Sequence, residues 1–457
     1  MTRLPRREVA QDLGPVLVAC AGPLEGPPFG GAATDSRQVR PGDLFFALRG
    51  ERHDGHDFLP QALAAGAAGV VVSRPLPDLP PGATAYQVSD TARALQLLAA
   101  ARRARHPDLR VVGVTGSVGK TTCKELVAAV LSRRYRVLKS EGNLNTEVGL
   151  PLALLGLEAS HQVAVLEMGM FALGDIRFLC QIARPQVGIV TNIGPVHLER
   201  LGSLGAIAAA KGELVEALPA HGQAIINGDC PWAHRLGARG PAAVTLYGTA
   251  RQCQVRGEVL ASHGLEGFTF RLEWQGREAT LRSPMPGRHH LHGLLAAAAT
   301  ALALGLDWPE VTEALACARS DLRLRVLPGP RGSTIIDDSY NASPASVLAA
   351  LDLLSEMPGR RIALLGDMRE LGAAALEGHR QVGAHAARTT HLLLLLGEMA
   401  PVVAQAARAS GHPQVRLLQD KEQAVALLAA ELGPGDFLLV KASRALALET
   451  VVEALAR

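Results

Sequence analysis

Short apolar runs, separated by longer stretches with helical spacing, dominate the chain from residue 109 onward. A β-branched run at Arg110–Thr115 meets a glycine-rich turn and then a helical pattern over 120–134. Further runs at Val163–Glu167, 187–191 and 224–227 are bounded by helical patterns in the same way. Apolar strands alternating with helices predict a doubly wound, mostly parallel sheet covered on both faces. Residues 245–285 break this rhythm. There Phe268-Thr269-Phe270-Arg271-Leu272-Glu273 alternates apolar and polar, which predicts a small antiparallel appendage. The Ala/Leu-rich segment 291–304 predicts a buried helix closing this region.

After about residue 320 a second alternation begins, with strands predicted at Thr334–Asp337, 362–365, Leu392–Leu396, Val415–Leu418 and 437–440. It predicts a Rossmann-like α/β sheet, but no GxGxxG follows its strands, so no dinucleotide cofactor is expected. Ahead of these regions, turn signals (Arg40-Pro41-Gly42-Asp43, Pro80-Pro81-Gly82) mix with short runs such as Gly69-Val70-Val71-Val72. That part reads as a small α/β domain ending at the basic, proline-containing segment 102–107. The expectation is an α/β chain of three domains: 1–107, a central domain at 108–319, and a Rossmann-like domain at 320–457.

Composition mainly excludes. With 46 Lys and Arg against 43 Asp and Glu, a net charge of +3 gives no electrostatic case for nucleic acid or an anionic membrane. The six cysteines are scattered without a CxxC pair, so neither a zinc site nor a disulfide framework is expected, and a reducing cytoplasm fits. Residues 1–14 carry no apolar core of a secretory signal. The longest apolar stretches fall short of the ~18–20 residues that span a bilayer, so a soluble protein without membrane insertion is expected. Only six lysines occur (120, 124, 139, 211, 421, 441), so arginine serves wherever charge alone suffices. A lysine in this chain is weak evidence that an amine is required, although Lys139 and Lys421 look like surface positions.

Thr115-Gly116-Ser117-Val118-Gly119-Lys120-Thr121-Thr122 lies between a predicted strand and a predicted helix, as a phosphate cradle requires. Glycines let backbone N–H groups turn toward phosphates, and the helix N-terminus adds partial positive charge. Lys120 is placed to reach the β/γ-phosphates and the Thr121 hydroxyl to ligate Mg²⁺. Val114 occupies the position of the first glycine in the strict Walker pattern. The motif predicts nucleotide binding in a P-loop domain.

Glu167 ends a predicted parallel strand, where side chains point into the ligand crevice of such sheets, and is a natural Mg²⁺ partner beside a P-loop. His197 follows another strand; taken alone, such a histidine is more often a structural hydrogen-bonder than a ligand. Fourteen residues on comes Lys211. An ammonium repels Mg²⁺, but carbamylation by CO₂ turns lysine into an anionic oxygen ligand for a second metal.

These segments, together with Gly142-Asn143-Leu144-Asn145-Thr146-Glu147, Glu167-Met168-Gly169 and Ala210-Lys211-Gly212-Glu213, resemble the Mur ligases of peptidoglycan synthesis. The His197-to-Lys211 spacing matches the family's carbamylated-lysine spacing. Segments 337–344, 365–372 with His379, and 440–444 are similar to those members that add D-alanyl-D-alanine to UDP-N-acetylmuramoyl-tripeptide. The resemblance runs from about residue 30 to the C-terminus and includes Thr34-Asp35-Ser36-Arg37 and Asp54-Gly55-His56-Asp57-Phe58.

The resemblance implies an ATP-dependent amide ligase with two Mg²⁺ ions, acting as a monomer on two small-molecule substrates, UDP-N-acetylmuramoyl-tripeptide and D-Ala-D-Ala. Ser36 is expected at the UDP end, and Asn143, Asn145 and Thr146 face the substrate. Lys120, Glu167, His197 and Lys211 form the catalytic set, with Thr121, Glu167, His197 and Lys211 toward metal. Residues Gly116, Ser117, Val118, Gly119, Lys120, Thr121 and Thr122 would hold ATP, with His290, Arg323 and Asp338. Asn341, Ser443 and Arg444 approach the peptide or the dipeptide. Two departures touch the adenine side: His289-His290 replaces the family's His-Asn, and Gly293 stands where an Asn is usual. Thr146 replaces an Asn of many relatives and keeps a hydrogen-bonding side chain. Two alternatives stay open. One is a sister ligase, another Mur enzyme or a folylpolyglutamate synthetase, with a different acceptor; the other is a P-loop switch, which explains neither the Glu167/His197 pair nor a third domain. No general base for the amine is assigned, nor the third residue of the tripeptide.

Overall fold

The computed structural model describes residues 4–50, 52–196, 198–319 and 324–456, and contains three sheets. The first has five strands in the order Leu17–Ala21, Thr84–Val88, Gly69–Val72, Leu44–Phe46, Ala32–Ala33, parallel except for the first. The helix Thr91–Ala104 then leads away from it, capped by the Asp90 carboxylate accepting from Arg93 N–H. Arg103, in the segment read as the domain's end, is buried. Its guanidinium donates to the carbonyls of Ala183 (3.0 Å), His106 (2.7 Å) and Leu109 (3.1 Å), fastening the chain where the central sheet begins.

The central sheet has nine strands. Val137–Lys139, Val163–Glu167, Arg110–Thr115, Val187–Val190, Gln223–Asn227 and Ala243–Gly248 run parallel in that spatial order. The predicted appendage is not separate. Val255–Ser262 joins Ala243–Gly248 in parallel, and Phe268–Trp274 and Arg277–Ser283 then extend the same sheet in antiparallel pairing. The reason lies in their alternation: Val255, Phe268, Phe270 and Leu272 turn inward and share one core with helices Lys120–Leu131 and Leu291–Ala303. The opposite face is completed by the first domain. Leu95 and Leu98 of helix Thr91–Ala104 belong to the same core as Leu150, Leu154 and Leu166.

The third sheet has six strands in the order Arg325–Pro328, Thr334–Asp337, Phe437–Lys441, Arg361–Gly366, Leu392–Leu396, Val415–Leu418, parallel except for the first. Separate cores lie on its two faces. It meets the central domain through smaller patches: Leu265 packs on its core, and Arg288 pairs with Glu356 at 2.8 Å. A shared core ties the first two domains together, whereas the third is held by polar contacts and a few side chains.

Candidate active site

The glycine-rich loop follows strand Arg110–Thr115 and opens helix Lys120–Leu131. Gly116 has φ 148° and Gly119 φ 83°, values that suit glycine. A Cβ at Gly116 would stand 1.9 Å from Thr191 Oγ1. Val114 is an interior strand residue paired with Glu167 and Ile189, so no tight turn is needed there. The neighbouring strand end braces the loop: Thr191 Oγ1 donates to Val118 O (2.7 Å), and Val118 N–H to Asn192 Oδ1 (2.9 Å). Ser117 Oγ donates to Gly194 O at 3.0 Å. Lys120 Nζ donates to Gly116 O at 2.9 Å, folding the side chain over its own loop.

Glu167 is buried beside this loop at the end of its strand. One carboxylate oxygen accepts from Asn145 Nδ2 at 2.8 Å; the other is buried without a partner among the described residues. Leaving such an oxygen unmatched costs about 1–3 kcal/mol, more when it is charged. A hard cation would satisfy it, and the Thr121 hydroxyl lines the same cavity, so this oxygen donor set fits Mg²⁺. Lys211, on helix Leu204–Glu216, is 1% exposed. Burial, and then the Lys120 charge, push its ammonium well below the usual lysine range. His197 lies outside the described residues.

The lysine usage gains a physical basis. Lys124, Lys211 and Lys441 are among the largest fully buried side chains. Lys124 Nζ donates to the carbonyls of Ser140 (2.5 Å) and Gly142 (3.2 Å), and so positions the loop that carries Asn143, Asn145 and Thr146. Lys441 Nζ donates to the Asp338 carboxylate and to Asn341 O, the latter at 2.9 Å.

A cavity of about 850 Å³ gathers most of these residues. Ser117, Val118, Gly119, Lys120 and Thr121 line it with Glu167, Asn143, Asn145 and Thr146 on one side; Asn341, Ser443 and Arg444 face them from the third domain. Asn341 follows strand Thr334–Asp337, Ser443 and Arg444 follow Phe437–Lys441, and Arg369, which also lines the cavity, follows Arg361–Gly366; the three strands are adjacent and parallel, and their carboxyl ends open onto the crevice. These loops are interlocked. Ser443 Oγ accepts from Arg369 N–H (2.8 Å), His379 Nε2 from Met368 N–H (3.1 Å), and the Asp367 carboxylate from Glu398 (3.0 Å) and Met399 (2.9 Å) N–H.

Gly116, Thr122, Ser36, His290 and Asp338 do not line this cavity. Ser36 is buried in the first domain and donates to Gln61 Oε1 at 2.8 Å. His290 is buried with Nε2 unpartnered among the described residues, and burial pushes its pKa well below the usual histidine value. Its ring lies 4.1 Å from that of His289, which lines a second cavity of about 550 Å³ with His292, Thr249, Asp352 and Leu353. Arg323 lies outside the described residues. Sequence reasoning overlooked Gln96, Phe171, Phe178 and Tyr340, which also line the first cavity. Gln96 comes from the first domain's helix, and nothing in its local pattern signals that reach. Tyr340 was readable, standing between Asp338 and Asn341 in the segment 337–344.

Family models match this chain in three segments: the Mur ligase family catalytic domain at 29–103, the Mur ligase middle domain at 114–301, and the Mur ligase glutamate ligase domain at 322–444. The UDP-N-acetylmuramoyl-tripeptide–D-alanyl-D-alanine ligase of Synechocystis sp. is 40% identical over 429 residues, 92% of this chain and 91% of that protein. The ligase of the same name from Escherichia coli is 37% identical over 449 residues, 92% of each. Among solved structures, MurF from Acinetobacter baumannii superposes with a TM-score of 0.86 at 29% identity, covering 99% of both chains. MurF from Thermotoga maritima in complex with ADP gives 0.77 at 29%, covering 93% and 96%.

Proposed function

The chain belongs to the Mur ligase family, and from that we propose that it joins D-alanyl-D-alanine to the peptide carboxylate of UDP-N-acetylmuramoyl-tripeptide. ATP drives the step, giving UDP-N-acetylmuramoyl-pentapeptide, ADP and phosphate for peptidoglycan synthesis. The observation that carries this reading is the single cavity in which the phosphate loop 117–121 faces Asn341, Ser443 and Arg444 of another domain. A hydrolytic switch needs no such second wall.

A carboxylate does not condense with an amine near neutral pH, because oxide is a poor leaving group. The peptide carboxylate therefore attacks the γ-phosphorus, ADP leaves, and an acyl phosphate results. The dipeptide nitrogen, once its ammonium has lost a proton, attacks the acyl carbon; the C–N bond forms, the nitrogen gives up a second proton, and phosphate departs with the C–O electron pair. Lys120, released from Gly116 O, supplies positive charge where it accumulates on the transferring phosphoryl group. The N–H groups at the start of helix Lys120–Leu131 act in the same direction. Mg²⁺ would neutralise charge between the triphosphate and the attacking carboxylate, held by Thr121, Glu167, His197 and Lys211 as two ions.

For Lys211 we favour the carbamate. Burial favours the neutral form of this amine, whose nitrogen pair can attack CO₂; one proton leaves and an anion remains beside Lys120. In the same reading residues 1–107 hold the UDP end with Ser36, 108–319 carry ATP, and 320–457 bring Arg323 and Asp338 to the nucleotide. His290 serves the nucleoside end in that reading, and the second cavity lined by its neighbour His289 offers room for it. The enzyme is taken to work as a cytoplasmic monomer. Among the described residues no helix is long and apolar enough to cross a membrane.

An ADP-release assay tests the function. Turnover that needs both UDP-N-acetylmuramoyl-tripeptide and D-Ala-D-Ala is the expected result; hydrolysis independent of both overturns it.

A further inference from the structure

Helix Asp175–Ala183 starts without a cap of its own. Gly174, at φ 100°, precedes it and offers no side chain. Asp175 turns backward instead, accepting from Phe171 N–H (2.7 Å) and Ala172 N–H (2.8 Å). The first N–H groups of a helix need acceptors from outside its own ladder. Glu213, on helix Leu204–Glu216, supplies them: Oε1 accepts from Gly174 N–H at 2.7 Å and Oε2 from Arg177 N–H at 3.0 Å. Its side chain is fully buried. The Arg177 guanidinium stands 3.8 Å away and is engaged with Glu216 at 3.0 Å, so the two N–H groups and the helix dipole carry most of the match.

Lys211 and Glu213 are two residues apart, about 200° around a helix, so they face different parts of the domain. Lys211 feels the charge of Lys120, whereas Glu213 reaches the loop 168–174. That loop follows Glu167 directly and is tied at both ends. Met168 N–H donates to Val114 O (2.8 Å) and Gly169 N–H to Asn145 O (2.8 Å) at its start, and Glu213 holds its finish. Between these ties Gly169, Met170 and Phe171 line the first cavity, and Arg200 stands over the Phe171 ring at 4.8 Å. The phosphate loop has separate braces in Thr191 and Asn192, and neither passes through Glu213. Loosening Glu213 therefore shifts one wall of the cavity and leaves the phosphate loop in place.

We propose that Glu213 is a positioning residue for the UDP-tripeptide: by capping helix Asp175–Ala183 from outside, it sets the wall 169–171 against which that substrate lies. The inference rests on the ligase reading above. It gives the segment Ala210-Lys211-Gly212-Glu213 two buried ionisable side chains with separate tasks, Lys211 toward the phosphate side and Glu213 toward the substrate wall.

The test joins steady-state kinetics of E213Q, F171A and the double variant with hydrogen exchange of wild type. Glutamine keeps the size but offers one acceptor, and its NH₂ faces an N–H donor, so one of the two caps is lost. The expected result for E213Q is a KM for the UDP-tripeptide raised about fivefold or more, with the KM for ATP within about twofold. F171A, which alters the exposed wall directly, should show the same split, and the double variant should fall short of the product of the two. In wild type the UDP-tripeptide should slow amide exchange across 168–177 by about tenfold, and ATP alone by less than about twofold. A purely structural role would lower the melting temperature without separating the two KM values. An unchanged UDP-tripeptide KM in E213Q overturns the proposal. So does a parallel rise of both KM values, or a fall in kcat alone, since the effect would then run through the phosphate loop or Lys211. Should E213Q not fold, wild-type exchange decides: no slowing at 168–177 by the UDP-tripeptide overturns the proposal. Wild type that does not ligate D-Ala-D-Ala overturns the ligase reading beneath it.

Discussion

Asn145 and Glu167 share a single hydrogen bond of 2.8 Å, and it satisfies only half of a buried carboxylate. The oxygen left over suits a cation in the cavity that Thr121 also lines. Replacing Glu167 by Gln keeps the shape and removes the charge. We expect activity to fall by about 10²-fold or more, as removal of a transition-state electrostatic contact does. The metal-free variant should be as stable as wild type, or up to about 1 kcal/mol more stable, because a charged oxygen no longer stays unmatched. Thermal melts with and without Mg²⁺ check this: wild type should gain stability from the ion and E167Q should not.

Lys211 gives a prediction with a defined sign. Its folded-state pKa lies below the unfolded value, so the unfolded chain binds more protons between the two, and stability rises with pH across that interval. Below the folded pKa the full penalty of burying the ammonium applies. K211M, apolar and of similar length, should therefore melt higher than wild type at neutral pH in CO₂-free buffer, and its stability should rise less with pH. K211A should lose activity, and added short carboxylic acids should restore part of it by supplying the missing anion. An untreated K211A with full activity rules the carbamate out.

Much of this architecture was legible because its strands are buried on both faces. Leu392–Leu396 and Val163–Glu167 are continuous apolar runs, and such runs mark their own ends. The edges were harder. Arg325–Pro328 is an exposed antiparallel strand with no apolar run to announce it, and 255–283 looked independent because alternation reveals a half-buried strand but not its neighbour. The strand–turn–helix setting of the phosphate loop and the strand-end position of Glu167 were readable since each depends on local sequence. Gln96 and the second cavity were not, because both arise where domains meet, and no local pattern encodes that distance.

Gly116 separates conformational from steric demands. At φ 148°, with a Cβ 1.9 Å from Thr191 Oγ1, an alanine is both strained and overlapping. G116A should cost about 2–4 kcal/mol of stability and abolish ATP binding. Thr191→Gly in the same chain removes the clash but also the hydroxyl that bonds Val118 O, so stability should return only in part and ATP binding should stay weak. Denaturant unfolding and nucleotide titration of the single and double variants read the two effects apart.

Glu356 links the third domain to the central one. Its carboxylate takes Arg288 at 2.8 Å and the Ser262 hydroxyl, both from the central domain. With Arg288 side chain 58% exposed, the ion pair alone is worth no more than about 1 kcal/mol. That small energy is still enough to matter when two domain arrangements are near balance, because about 1 kcal/mol changes their ratio about fivefold. The shared core of Leu95, Leu98, Leu150 and Leu154 resists such a change between the first two domains, so the third is the one expected to move. E356A should therefore leave the melting temperature within a few degrees of wild type, since a surface contact contributes little to global stability. It should also increase the radius of gyration measured by small-angle X-ray scattering without ligands. Saturating ATP and UDP-tripeptide should restore the compact form, since ligands bound between the two walls of the cavity would draw them together. An unchanged radius of gyration in E356A would mean that Leu265 and its neighbours hold the domain without the clamp.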